Sequence, residues 1–146
     1  MKHLLKLQLI IIFLFLSLGS VKAQKESLWQ TYFPTNPSQE KWKEIATHKG
    51  MTEVLNLKEI FLEKIPTSEL FEIYLQYPLL LDIWAFNNLQ TGFISVKENF
   101  NGLQELLKRN DLKEIAIDKY SKSLSRKDTF EIHFIQLLLS QEEIIS

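Results

Sequence analysis

A chain of 146 residues, 45 % hydrophobic and with a formal net charge of −1, suits a single domain built on one apolar core. It contains no cysteine, which excludes disulfide stapling, thiol catalysis and sulfur-ligated metal. Its basic residues are dispersed among acids, as at Lys41 and Lys43 beside Glu40 and Glu44, whereas nucleic acids and anionic membranes call for clustered Lys and Arg.

Residues 1–23 read as a secretory signal peptide. Lys2 and Lys6 join the α-amino group in a positive head, residues 7–18 form a greasy stretch interrupted only by Gln8 and Ser17, and a small-residue tail ends in Val21, Lys22 and Ala23. That order of head, apolar centre and small tail is what the export machinery cleaves. An uncleaved anchor is the rival reading, but spanning hydrocarbon takes about 20 apolar residues, and the stretch offers twelve positions. Contact with a membrane is expected only through an uncleaved signal. Cleavage after Ala23 removes 23 of the 146 residues and leaves 123; three lysines go with it, so 14 basic residues face 18 acidic ones, a formal charge of −4. The expected location is the periplasm or the cell exterior.

Residues 24–38 hold Pro34, Asn36 and Pro37 among polar residues and show no helical or strand period, which predicts an extended lead-in. Trp29, Tyr32 and Phe33 lie in this arm, either docked on the domain or exposed for a partner. Residues 39–146 then read as a helical domain of about six or seven short blocks.

In the first block Trp42, Ile45 and Ala46 share a face, His48 falls in the last turn, and Gly50 is placed as a left-handed stop. Asn56, three residues before Glu59, predicts a capping box, with Ile60 and Phe61 inward until Pro66. Thr67 is a cap for the next helix, in which Leu70, Phe71, Tyr74 and Leu75 make an apolar stripe and Glu69 suits the positive end of the helix dipole. Tyr77 and Pro78 break it. Residues 79–86 are apolar all round except for Asp82, which predicts the central, most buried helix.

After Asn87 and Asn88 comes a helix with a Phe93, Val96 and Phe100 stripe. Asn101 with Gln104 suggests a second cap, followed by Leu103, Leu106 and Leu107 inward and Asn110 as a left-handed stop. Asp111 with Glu114 suggests a third, followed by Leu112, Ile115, Ala116 and Tyr120 inward. Residues 121–127 read as a polar connector. Asp128 with Glu131 opens the last helix, with Phe130, Phe134, Leu137 and Leu138 as its core face. Ile132, Ile135 and Leu139 widen that face, so either another chain covers it or the domain continues past residue 146, the C-terminus being truncated. Together these features predict an all-α fold of short antiparallel helices in an irregular or solenoid-like stack.

The run TSELFEIYLQYPLLLDIWAFNNLQTGF, continuing into FNGLQELLKRND, with a weaker echo in FEIHFIQLLLSQEE, resembles a family of secreted, uncharacterised bacterial helical proteins. The similarity covers residues 56 to about 111. It is carried by the break at Tyr77 and Pro78, the aromatic helix over residues 79–86 and the Phe-Asn-Gly-Leu cap at residues 100–103. The resemblance implies an exported helical fold, and a longer C-terminus, but no chemistry.

Asp82 is the weak catalytic candidate. With apolar neighbours one turn away, an unpaired carboxylate there would be costly or would take up a proton, which suits a general acid or base. The favoured reading is a structural tie to a backbone N–H, a tyrosine or a base such as Arg109. His48 and His133 lie far apart with no ligand spacing around them, so no metal and no cofactor are expected. Gly50, Gly92 and Gly102 are too scattered for a phosphate-binding loop, and no nucleophile elbow exists. Tyr74, Tyr77, Trp84 and Phe86 could line a ligand groove, but core is the favoured reading. The expected function is therefore a non-catalytic binding or scaffolding module, the partner being another protein met through aromatic or apolar surface. A hydrolytic enzyme using a buried carboxylate is the alternative.

Overall fold

The computed structural model describes residue 32, residues 40–45 and residues 47–145. The expected signal peptide and lead-in, apart from Tyr32, lie outside the described residues, and with them Trp29 and Phe33. Among the described residues every regular element is a helix. In chain order these are α1 (Glu40–Lys43), α2 (His48–Val54), α3 (Glu59–Leu62), α4 (Thr67–Leu75), a 3-10 helix (Leu80–Ala85), α5 (Leu89–Asn99), α6 (Asn101–Leu106), α7 (Leu112–Arg126), α8 (Thr129–Leu139) and α9 (Glu142–Ile145). The protein is all-α, a set of short helices packed around one apolar core.

The core forms where the 3.6-residue period is clear. Leu70, Phe71, Tyr74 and Leu75 of α4 are buried, as are Phe93 and Val96 of α5 with Phe100 beyond it, Leu103, Leu106 and Leu107 at α6, Leu112 and Ala116 of α7, and Phe134 and Leu138 of α8. A fully buried side chain of this size contributes roughly 1.5–3 kcal/mol, so these stripes supply the main drive to fold. Helix α4 packs on α6 and α7, α5 on the 3-10 helix and α6, and α7 folds back on α8, which carries α9. Tyr32 sets its ring edge-on against Phe61 at 5.8 Å.

Several predicted ends are made differently. The first block is two helices: Thr47 caps α2 by accepting from the Gly50 N–H at 3.1 Å. Gly50 thus lies inside α2 and has no positive φ. His48 consequently opens a helix instead of closing one. Asn56, Asn101 and Asp111 do not cap the helices that follow them, because each is drawn into a contact far along the chain. The Asn101 side chain accepts from Leu57 N–H at 2.8 Å and donates to Leu57 C=O at 2.7 Å, while the Asn101 N–H donates to Asn56 Oδ1 at 2.9 Å. Asp111 accepts from the Thr67 hydroxyl at 2.7 Å, so Thr67 ties α4 to α7 instead of capping its own helix. Asp128 does cap α8, accepting from the Glu131 N–H at 3.1 Å.

Residues 121–127 are not a connector. They continue α7 to Arg126, since Ser123 buries completely and its hydroxyl donates to Glu131 of α8 at 2.7 Å. Lys119 pairs with Glu72 and sits 3.7 Å from Glu131, tying α7 to both α4 and α8. The left-handed stop falls at Lys127, with φ 57°, and not at Asn110. Ile60 and Phe130 are exposed, outside the core faces expected of them.

The largest departure is at residues 79–86. The chain there makes a 3-10 helix with three residues per turn, so positions three apart eclipse. Leu80 and Ile83 point inward, while Leu81 (50 % exposed) and Trp84 (54 % exposed) point out, with Phe86 exposed beyond them. The tight winding also lets α5 come close. A Cβ at Gly92 would run into the Ile83 carbonyl, so only glycine allows this approach.

Candidate functional site

Asp82 is half-buried on the 3-10 helix and not sunk in the core. Its carboxylate meets His48, the first residue of α2, with Oδ2 2.6 Å from Nε2. The side chains are 37 % and 63 % exposed respectively. A pair that open to solvent typically contributes only about 0.2–1 kcal/mol, so it orients two functional groups more than it stabilises the fold. Arg109, the base suggested as Asp82's partner, is occupied elsewhere. It donates to Leu62 C=O at 2.6 Å and pairs with Glu105 at 3.1 Å.

The His48–Asp82 pair forms one end of a cleft of about 230 Å3 between α2, the 3-10 helix and α5. Leu79, Ala85, Phe86 and Val96 give it apolar walls, and Thr52, Tyr77, Ser95 and Asn99 complete the lining. Tyr77 is 4 % exposed and lies flat on Phe100, ring centroids 4.2 Å apart. Its hydroxyl is buried without a hydrogen-bond partner among the described residues. Burial first, and then the negative charge of Asp82, push its pKa well above the usual phenol value, so the group stays a neutral donor. A buried hydroxyl without a partner is costly, about 1–3 kcal/mol, and such groups ask for an explanation in function.

Tyr74 and Tyr77 are core side chains, as the sequence suggested. Tyr74 reaches Phe134 C=O with its hydroxyl at 3.3 Å, and burial raises its pKa strongly. Trp84 and Phe86 are not core. Trp84 leans on Phe134 at 5.3 Å and, with Leu89, His133 and Leu137, lines a second apolar hollow of about 240 Å3 that shares no residue with the cleft described above. His133, on α8, hydrogen-bonds through Nδ1 with Thr129 C=O at 2.6 Å and takes no part in the His48–Asp82 site.

What sequence reasoning missed is the pairing: His48 and Asp82 are 34 positions apart with no motif joining them. Asp82 and Tyr77 were each singled out from the sequence, the first as a catalytic candidate and the second as a residue of a ligand groove or of the core. Among the described residues no group of three potential His, Asp or Glu ligands gathers, and no helix is long and apolar enough to cross a membrane. Comparison with family models, curated proteins and solved structures returns no match to the chain.

Proposed function

We propose that the protein is an exported helical binding module that takes a small ligand in the cleft between α2, the 3-10 helix and α5. The observation that carries this reading is the cleft itself, apolar-walled with the His48–Asp82 pair in its lining. Ligand sites combine mostly apolar walls with a few convergent polar groups, and Leu79, Phe86 and Val96 with Tyr77, His48 and Asp82 make that combination. Export rests on the order of charge, apolar stretch and small residues over positions 1–23.

The purified protein exposed to a small-molecule extract of cell envelope, then weighed by native mass spectrometry, should carry a bound mass that Ala85→Trp, which fills the cleft, abolishes without unfolding. An unchanged adduct in that variant overturns the cleft. Mass determination of the protein recovered from the envelope should show cleavage after Ala23, and a full-length 17.2 kDa chain found in the cytosol overturns export.

The His48–Asp82 pair also favours a second reading. A carboxylate-oriented imidazole is a general base able to draw a proton from water, which suits hydrolysis. Among the described residues no hydroxyl hydrogen-bonds to that imidazole, so water would be the nucleophile. Turnover of a simple ester that disappears in His48→Ala while the melting temperature holds would favour the enzyme.

A further inference from the structure

We infer that the ligand of this cleft is a small amine carrying one compact apolar group, its ammonium received by Asp82. The inference rests on the cleft being a ligand site, as proposed above, and adds the charge and size of what enters it. Size follows from volume. A cavity of roughly 150 Å3 with apolar walls accommodates benzene, so about 230 Å3 suits one ring or a short branched chain with a two- or three-atom head.

Charge follows from the polar lining and the carboxylate within it. The Thr52 hydroxyl gives its proton to Lys49 C=O at 2.8 Å, and the Asn99 amide gives an N–H to Ser95 C=O at 2.8 Å. His48 engages one oxygen of Asp82 at 2.6 Å. Left to face a ligand are Asp82 Oδ1, Asn99 Oδ1 and the Thr52 oxygen as acceptors, and the second Asn99 N–H and the Ser95 hydroxyl as donors. Among these the Asp82 carboxylate carries the charge, and it pairs with an ammonium and repels a second carboxylate. Asp82 itself lines the cleft, so its negative charge faces whatever enters. An anionic head would meet that charge, whereas an ammonium would pair with Asp82. The half-open ring of Phe86 on the cleft wall offers its face to the same cation.

Three probes with one apolar body and different heads test this: phenethylamine, phenethyl alcohol and phenylacetate, each titrated into the purified protein while amide NMR spectra follow the cleft residues. Phenethylamine should bind at least about tenfold more tightly than phenylacetate, with the alcohol between. Asp82→Asn should bring amine and alcohol level. His48→Ala, which breaks the same pair but frees the carboxylate, should bind the amine more tightly, so a merely structural role for the pair predicts the opposite. Phenylacetate binding as well as the amine overturns the charge assignment and leaves the cleft standing. Failure of all three probes to shift cleft residues in a folded protein overturns the cleft itself.

Discussion

The ring of Tyr77 lies on that of Phe100, with centroids 4.2 Å apart and planes 10° from parallel. Phe100 fills the break between α5 and α6, so the stack joins the cleft wall to the point where the chain changes direction. Phe100→Ala should cost about 3–5 kcal/mol in urea unfolding, as for other buried aromatics. Tyr77→Phe keeps the stack and removes a hydroxyl that has no hydrogen-bond partner among the described residues. Its stability should equal or exceed the parent by up to about 1 kcal/mol. A clear loss of stability would mean that the hydroxyl already serves the fold.

The clasp between Asn101 and Leu57 is the second target. Asn101→Ala removes an acceptor and a donor from the backbone of a buried residue, each worth about 1–3 kcal/mol when its partner is left unsatisfied. A loss of about 2–4 kcal/mol by denaturant unfolding is expected. A loss below about 0.5 kcal/mol would show that water replaces the side chain freely.

These two sites mark what the sequence could and could not disclose. The stripes of α4, α5 and α6 were legible because Pro66, Pro78 and Asn88 bound them and their apolar residues recur at helical spacing. The segment over residues 79–86 was not. When every position is apolar no face stands out, and nothing distinguishes three residues per turn from 3.6. Asn56, Asn101 and Asp111 were read as caps because their side chains suit that role locally, yet tertiary partners 44 or 45 positions away claim them. His48 and Asp82 were each visible, but their pairing is a product of the fold.

Lys127 is the described non-glycine residue with positive φ, and a side chain in the left-handed region costs roughly 1–2 kcal/mol. Lys127→Gly removes that cost at the end of α7. After the added freedom of the unfolded chain is allowed for, a gain of about 1 kcal/mol is expected, seen as a higher midpoint in thermal unfolding followed by circular dichroism. A lower midpoint would assign the Lys127 side chain a contact of its own.

Alkaline stability should follow Tyr74 and Tyr77. Burial raises both pKa values above the ordinary phenol value of 10.0. Below that value both phenols are protonated, folded or not, and their contribution to stability is constant. As pH rises past it the unfolded chain loses protons that the folded chain keeps, so stability falls. Tyrosinate absorbance from these two residues should therefore appear together with the loss of helical signal. Tyr77→Phe should soften the decline. Ionisation of both in a protein that remains helical would contradict their burial.

The clasp of Asn101 on residues 56 and 57 also has a bearing on synthesis. The amide of Leu57 meets its mate only after residue 101 of the 146 has left the ribosome. Contacts so far apart along the chain must await closure of a long loop. Until then the nascent polypeptide lacks the latch that joins residues 56 and 57 to α6.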